Sequence, residues 1–143
     1  MSFREHMPVK ADSPIDVVRL FVKHVNSHDI DGLCALMSED HTFVNVRGGS
    51  YSGRDEMRDS WLEFWEMFPD YRMEVEDMVQ EDGVVAIFGV ASGTYFIHGE
   101  MSEHNRWQAP AAWKASVEDG LVREWRIYTD CESVRQIVAA AKY

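Results

Sequence analysis

The sequence predicts an α+β domain in which helices pack on one face of a curved, mostly antiparallel sheet. Three observations predict it. Apolar residues recur at helical spacing up to Pro69, whereas between about 70 and 129 they alternate or run continuously between turn sequences. Helices followed by a run of strands give α+β layering rather than alternating βα units. The 143 residues contain no linker or composition break, and that length suits one domain with one core.

Residues 1–12 are polar and read as a flexible N-terminal arm, so the domain spans 13–143. Ser13-Pro14 supplies an N-cap and a proline at the first helical position, and Asp16 in the first turn suits the helix dipole. Val17, Val18, Phe21, Val22 and Val25 then form one apolar stripe. Asp29 starts a shorter second helix through Leu33, Leu36 and Met37, with Asp40 at its exit. Residues 41–47, HTFVNVR, alternate as a strand that Gly48-Gly49 turns.

The third helix runs from about 54 to 67, with Met57, Trp61, Phe64, Trp65 and Phe68 at helical spacing, and Pro69 stops it. Residues 71–80 form a strand that leads into Glu81-Asp82-Gly83 and then the long run VVAIFGVASGTYF. The polar stretch HGEMSEHN connects this to RWQAPAAWKASV, and Glu118-Asp119-Gly120 turns the chain into LVREWRIYT. A short helix over 131–141 closes the chain. A helix-covered curved sheet leaves room for a pocket between its layers, lined by large aromatics.

The formal net charge of −11 argues against nucleic acid and against an anionic membrane surface, because both require basic patches. A small, largely apolar molecule, or a second copy of the chain, fits better. Cys34 and Cys131 lie far apart with no CxxC spacing and read as reduced thiols. His98, Glu100, Glu103 and His104 fall within seven residues but lack a metal-ligand spacing, so neither metal nor cofactor is expected. Their connection is long enough to act as a flap over a pocket. The N-terminal stretch lacks a signal-length apolar core, and no apolar run approaches 18 residues, which predicts a cytoplasmic protein.

Three segments carry a family resemblance. They are VVRLFVKHVNSHDIDGLCALMSEDHTFVNV, YSGRDEMRDSW and DGLVREWRIYTD. In order and spacing these resemble the nuclear-transport-factor-2-like superfamily, and within it the SnoaL-like polyketide cyclases and ketosteroid isomerases, over roughly residues 13–140. The resemblance implies a cone-shaped sheet wrapped around three N-terminal helices, and dimers formed through the convex sheet face. Trp113, Arg126 and Tyr128 are candidates for that interface.

Fold alone does not assign function, so the resemblance is carried over residue by residue. Ketosteroid isomerases use a carboxylate base, a tyrosine and a protonated aspartic acid. The matching positions here are Asn45, Phe21 and Ala112, so steroid isomerisation by that route is not expected. Limonene epoxide hydrolases are similar at Phe43-Val44-Asn45, but their later acid and base positions fall on Thr94, Phe96 and Ile127. SnoaL-like cyclases are similar at the closing strand, where Asp130 matches a pocket carboxylate.

The candidate catalytic groups are therefore Asn45, Asp130, His41 and His24. Asn45 is the polar group on an apolar strand face and could orient substrate or water, or lock the core instead. Asp130 could shuttle protons, or cap the last helix. His41 stands near the strand start, towards a rim, and His24 lies one helical turn from Phe21. The candidate pocket residues are Phe21, Phe43, Trp61, Trp65, Phe88, Ala112, Trp125 and Ile127. The face of Trp113 stays open: counting along the resemblance puts Ala112 inward, whereas hydrophobicity groups Trp113 with Ala115 and Val117. Cofactor-independent acid–base chemistry on a polyketide-like compound is one reading, and a non-catalytic ligand-binding or dimerisation module is the other.

Overall fold

The computed structural model describes residues 13–141, so the arm expected over 1–12 lies outside it. Helix α1 (Pro14–Ser27) and the short α2 (Ile30–Ala35) precede strand β1 (Met37–Val44) and a short β2 (Ser50–Ser52). Helix α3 (Arg54–Met67) follows, then β3 (Arg72–Glu81), β4 (Val84–Ile97), β5 (Glu100–Glu118), β6 (Leu121–Thr129) and α4 (Glu132–Ala140). The six strands form one open sheet ordered β2-β1-β6-β5-β4-β3. Only β1 and β6 are parallel among these neighbours. The sheet is curved, with α1 against β3 and α3 against β1 on its inner side.

Local chemistry explains most boundaries. Asp29 caps α2 by accepting a hydrogen bond from Gly32 N at 3.0 Å. Ser13 stands at the N-cap of α1 but makes no side-chain cap, so the start of that helix rests on Pro14 and on the acidic first turn. His98-Gly99 and Asp119-Gly120 both take left-handed φ values (57° and 77°, 55° and 77°), as tight hairpin turns require. The stretch expected as a flap at 98–105 is therefore a two-residue turn with paired strands on both sides. Its residues extend the sheet, because Phe96 pairs with Met101 and Ile97 with Glu100.

Two irregularities shape the inner face. β1 advances from Met37 to Thr42 while β6 advances only from Val122 to Glu124, which leaves a bulge at 38–41. The strand therefore begins at Met37, where the sequence suggests the end of α2, because Val122 N donates to Leu36 O at 2.7 Å and draws the chain onto β6. At Gly89, β3 crosses so closely beside its own bulge that a Cβ would overlap the Glu74 carbonyl oxygen.

Alternation along β5 settles its faces. Trp107, Ala109, Trp113, Ala115 and Val117 are buried on the inner side. Ala112 pairs with Phe88 and Tyr128, and that row points outward. Phe88 (46% exposed) and Tyr128 (48%) stand on the outer face, with the Arg126 guanidinium 5.0 Å from the Tyr128 ring centroid. Trp113 is 2% exposed and is not an outer-face residue.

Candidate ligand pocket

An apolar cavity of about 310 Å³ lies between α3 and the inner face of the sheet. The 3.6-residue period of α3 brings Met57, Ser60, Trp61 and Phe64 to one side of it, and Phe68 and Tyr71 follow where the helix ends. The period-two alternation of β5 and β6 brings Trp107, Trp113, Trp125 and Ile127 to the other side. Phe43 faces the cavity from β1, in register with Trp125. Val46 and Tyr51, both exposed, form part of the rim, and Asp130 and Cys131 complete it where β6 passes into α4.

Few polar groups reach this space. Thr129 is occupied, because its hydroxyl donates to Pro110 O at 2.7 Å. Burial pushes the Tyr71 phenol pKa up, so Tyr71 stays protonated. Asp130 Oδ1 accepts from Glu132 N at 3.0 Å and caps the entry to α4. That single bond leaves most of the acceptor capacity of this exposed carboxylate available at the rim. Among the described residues that line the cavity, Asp130 is the one carboxylate, and no lysine, arginine or histidine lines it.

The other catalytic candidates lie elsewhere. Asn45 is not on the cavity wall. The strand ends at Val44, and the Asn45 side chain turns back onto its own loop, where Oδ1 accepts from Arg47 N at 2.9 Å and Gly49 N at 3.0 Å. Its amide serves the β1–β2 turn, and the inward direction expected from strand alternation is corrected on that ground.

His41 is not at a rim. The β1 bulge carries it into the core, where it is 0% exposed and its Nδ1–H donates to Val122 O at 2.7 Å. Its Nε2 is buried and has no partner among the described residues, and the ring lies 6.2 Å from that of Phe21. His24 Nδ1 lies 3.3 Å from Asp29 Oδ2, at the junction of α1 and α2, also away from the cavity.

Of the residues considered for a pocket wall, Phe43, Trp61, Trp125 and Ile127 line the cavity. Phe21 lies behind Trp125, with ring centroids 4.5 Å apart, and Trp65 faces the other way to stack on His28 at 4.6 Å. Phe88 and Ala112 are on the outer face because they share a register row. Trp107, Trp113 and Tyr71 are wall residues that the sequence reading does not select. For Trp113 the signal is its grouping with Ala115 and Val117.

Burial pulls the pKa of His41 down, against a smaller opposing effect of the Val122 carbonyl and Asp40. The folded state thus holds a neutral imidazole, whereas the unfolded chain takes up a proton below its ordinary pKa of 6.5. Stability is accordingly full above about pH 6.5 and falls as the pH drops below it, towards the lower folded-state pKa. Chemical denaturation from pH 7.5 to 5 should show this slope, and His41→Gln should flatten it. An equal slope in both proteins would remove His41 as its source.

The sequence profile of the SnoaL-like domain matches residues 18–125, most of the chain and both walls of the cavity. The chain belongs to the SnoaL-like domain family. Among curated proteins no sequence matches it. Solved structures with the same fold include a candidate SnoaL-like polyketide cyclase from Jannaschia sp. CCS1 (18% identity, TM-score 0.78). That match covers 94% of this SnoaL-like chain and 96% of the other. An LEH-like epoxide hydrolase from M. tuberculosis is similar at 16% identity and TM-score 0.73, over 89% of this chain and 90% of the other. A protein of ketosteroid isomerase-like fold from Catenulispora acidiphila, solved with trimethylamine, matches at 17% identity and TM-score 0.72. It covers 83% of this chain and 88% of its own. At these identities the SnoaL-like fold is what is shared. No helix among the described residues is long and apolar enough to cross a membrane.

Proposed function

We propose that this SnoaL-like protein binds a small, largely apolar molecule in the α3–sheet cavity and acts on it by cofactor-independent acid–base chemistry. The observation that carries the reading is the placement of one carboxylate, Asp130, on the rim of an otherwise apolar, aromatic cavity. Such a site holds a substrate by burial of its surface and leaves proton transfer to a group that water can re-equilibrate. Tyr71, kept protonated, is the donor inside the cavity that could polarise a substrate carbonyl. The family's cyclase and epoxide hydrolase relatives are consistent with chemistry on compounds of this kind.

A non-catalytic ligand-binding role is the second reading. It is favoured by the commitment of His41, His24 and Asn45 to structural hydrogen bonds. Screening the protein against polyketide-like ketones and epoxides separates the two. Turnover that needs Asp130 supports catalysis, and saturable binding without turnover supports the second reading.

The same proposal includes a homodimer through the outer sheet face. Val79, Phe88 and Tyr128 are exposed there across β3, β4 and β6, which is the kind of apolar patch that a partner covers. Sedimentation should give a dimer that Phe88→Glu converts to a folded monomer. A wild-type monomer at tens of micromolar would overturn this part of the proposal.

A further inference from the structure

We infer that the cavity is a site for a methylated ammonium cation, such as a quaternary or tertiary amine head group. This rests on the proposal that the cavity binds a small molecule, and it names the class.

The wall is built mainly of aromatic rings. Four tryptophans, Trp61, Trp107, Trp113 and Trp125, face the cavity together with phenylalanine and tyrosine rings. Several neighbouring rings stand nearly perpendicular, Trp61 to Phe64 at 87° and Phe68 to Trp107 at 86°. Rings lying in such different planes do not make a flat slot. Aromatic faces carry negative electrostatic potential, and tryptophan attracts a cation most strongly.

The charges point the same way. Among the described residues, Asp130 is the charged side chain on the lining, and no cationic side chain there competes with a ligand for the rings or the carboxylate. The formal charge of −11 on the whole chain raises the local concentration of cations and repels anions. An anionic ligand would meet no positive partner among the described lining residues.

Among cations the wall selects further. A metal ion or a primary ammonium needs several hydrogen-bond acceptors once its water is stripped, whereas the side-chain acceptors on the lining are few, the hydroxyls of Ser60, Tyr51, Tyr71 and Thr129 and the rim carboxylate of Asp130. A methylated ammonium spreads its charge over methyl groups, needs no such acceptors, and fits the apolar wall while keeping the attraction to the rings. A neutral molecule of the same shape would gain the burial but not the attraction to the rings or to Asp130.

The test compares choline and tetramethylammonium with the neutral isostere of choline in which the quaternary nitrogen is replaced by carbon. Naphthalene serves as a neutral aromatic probe, and binding is followed by the indole N–H resonances of the folded protein. Choline should bind about tenfold more tightly than its isostere. Asp130→Asn, which keeps the helix cap, should weaken choline severalfold and leave the isostere unchanged. Trp61→Leu, with a melting curve to confirm folding, should reduce the preference for choline. Equal binding of choline and isostere would overturn the inference while leaving a small-molecule cavity in place. Binding of naphthalene without binding of choline or tetramethylammonium would overturn it in the same way. If none of the probes shifts a resonance, both the inference and the binding proposal fail.

Discussion

Truncating Trp113 to alanine should cost about 3–5 kcal/mol of folding stability, among the largest single-residue losses available in this chain. The side chain is 2% exposed and forms part of the cavity wall. Its loss therefore leaves a large void in the core. Thermal melting should show a drop on the order of 10 °C. Ala112→Trp at the neighbouring outward position is the control, because it adds bulk to the outer face and should leave the core intact. Similar melting temperatures for Trp113→Ala and the wild type would mean that Trp113 does not face the core from β5.

The second large effect concerns chemistry. Asp130→Asn preserves the acceptor that caps α4, so the fold should be maintained and the melting temperature should change little. If Asp130 transfers the proton, turnover of an identified substrate should fall roughly 10²–10⁴-fold. The wild-type rate should also depend on pH through a carboxylate, a limb that the variant lacks. A variant with unchanged turnover would remove Asp130 from the mechanism and leave the non-catalytic reading in its place.

Much of the fold is legible in the sequence because its elements carry strong local signals. The 3.6-residue spacing of Met57, Trp61 and Phe64 places one face of α3, and Pro69 places its end. Alternation of Trp125 and Ile127 places the inner face of β6. Where these signals are local they serve the site as well, since the cavity is made by two such faces meeting.

The failures share a cause, which is a break in regularity. Asn45 occupies the inward phase of β1, but the strand stops one residue earlier and the amide finds two backbone donors in its own turn. His41 reads as a rim residue on an ideal strand, and the β1 bulge sends it into the core. Family counting sets Ala112 inward, one residue from the true face, whereas the company of Trp113 with Ala115 and Val117 reads the face directly. The stretch at 98–105 looks like a flap because of its length, but the tight His98-Gly99 turn pairs Glu100 and Met101 with β4. Tyr71, in the turn after α3, and Trp107 on β5 come together only through long-range packing, which no local pattern records.

If the ligand sits in the cavity between α3 and the sheet, filling that cavity must abolish binding. Ala109 is buried on its wall, and a phenylalanine there would occupy the space. Titrating naphthalene into wild-type protein and Ala109→Phe, while following indole N–H resonances and the melting temperature, tests this directly. Saturable shifts in the wild type, lost in a variant that melts no lower, are the predicted result. Equal affinity in both proteins would place the ligand somewhere other than this cavity.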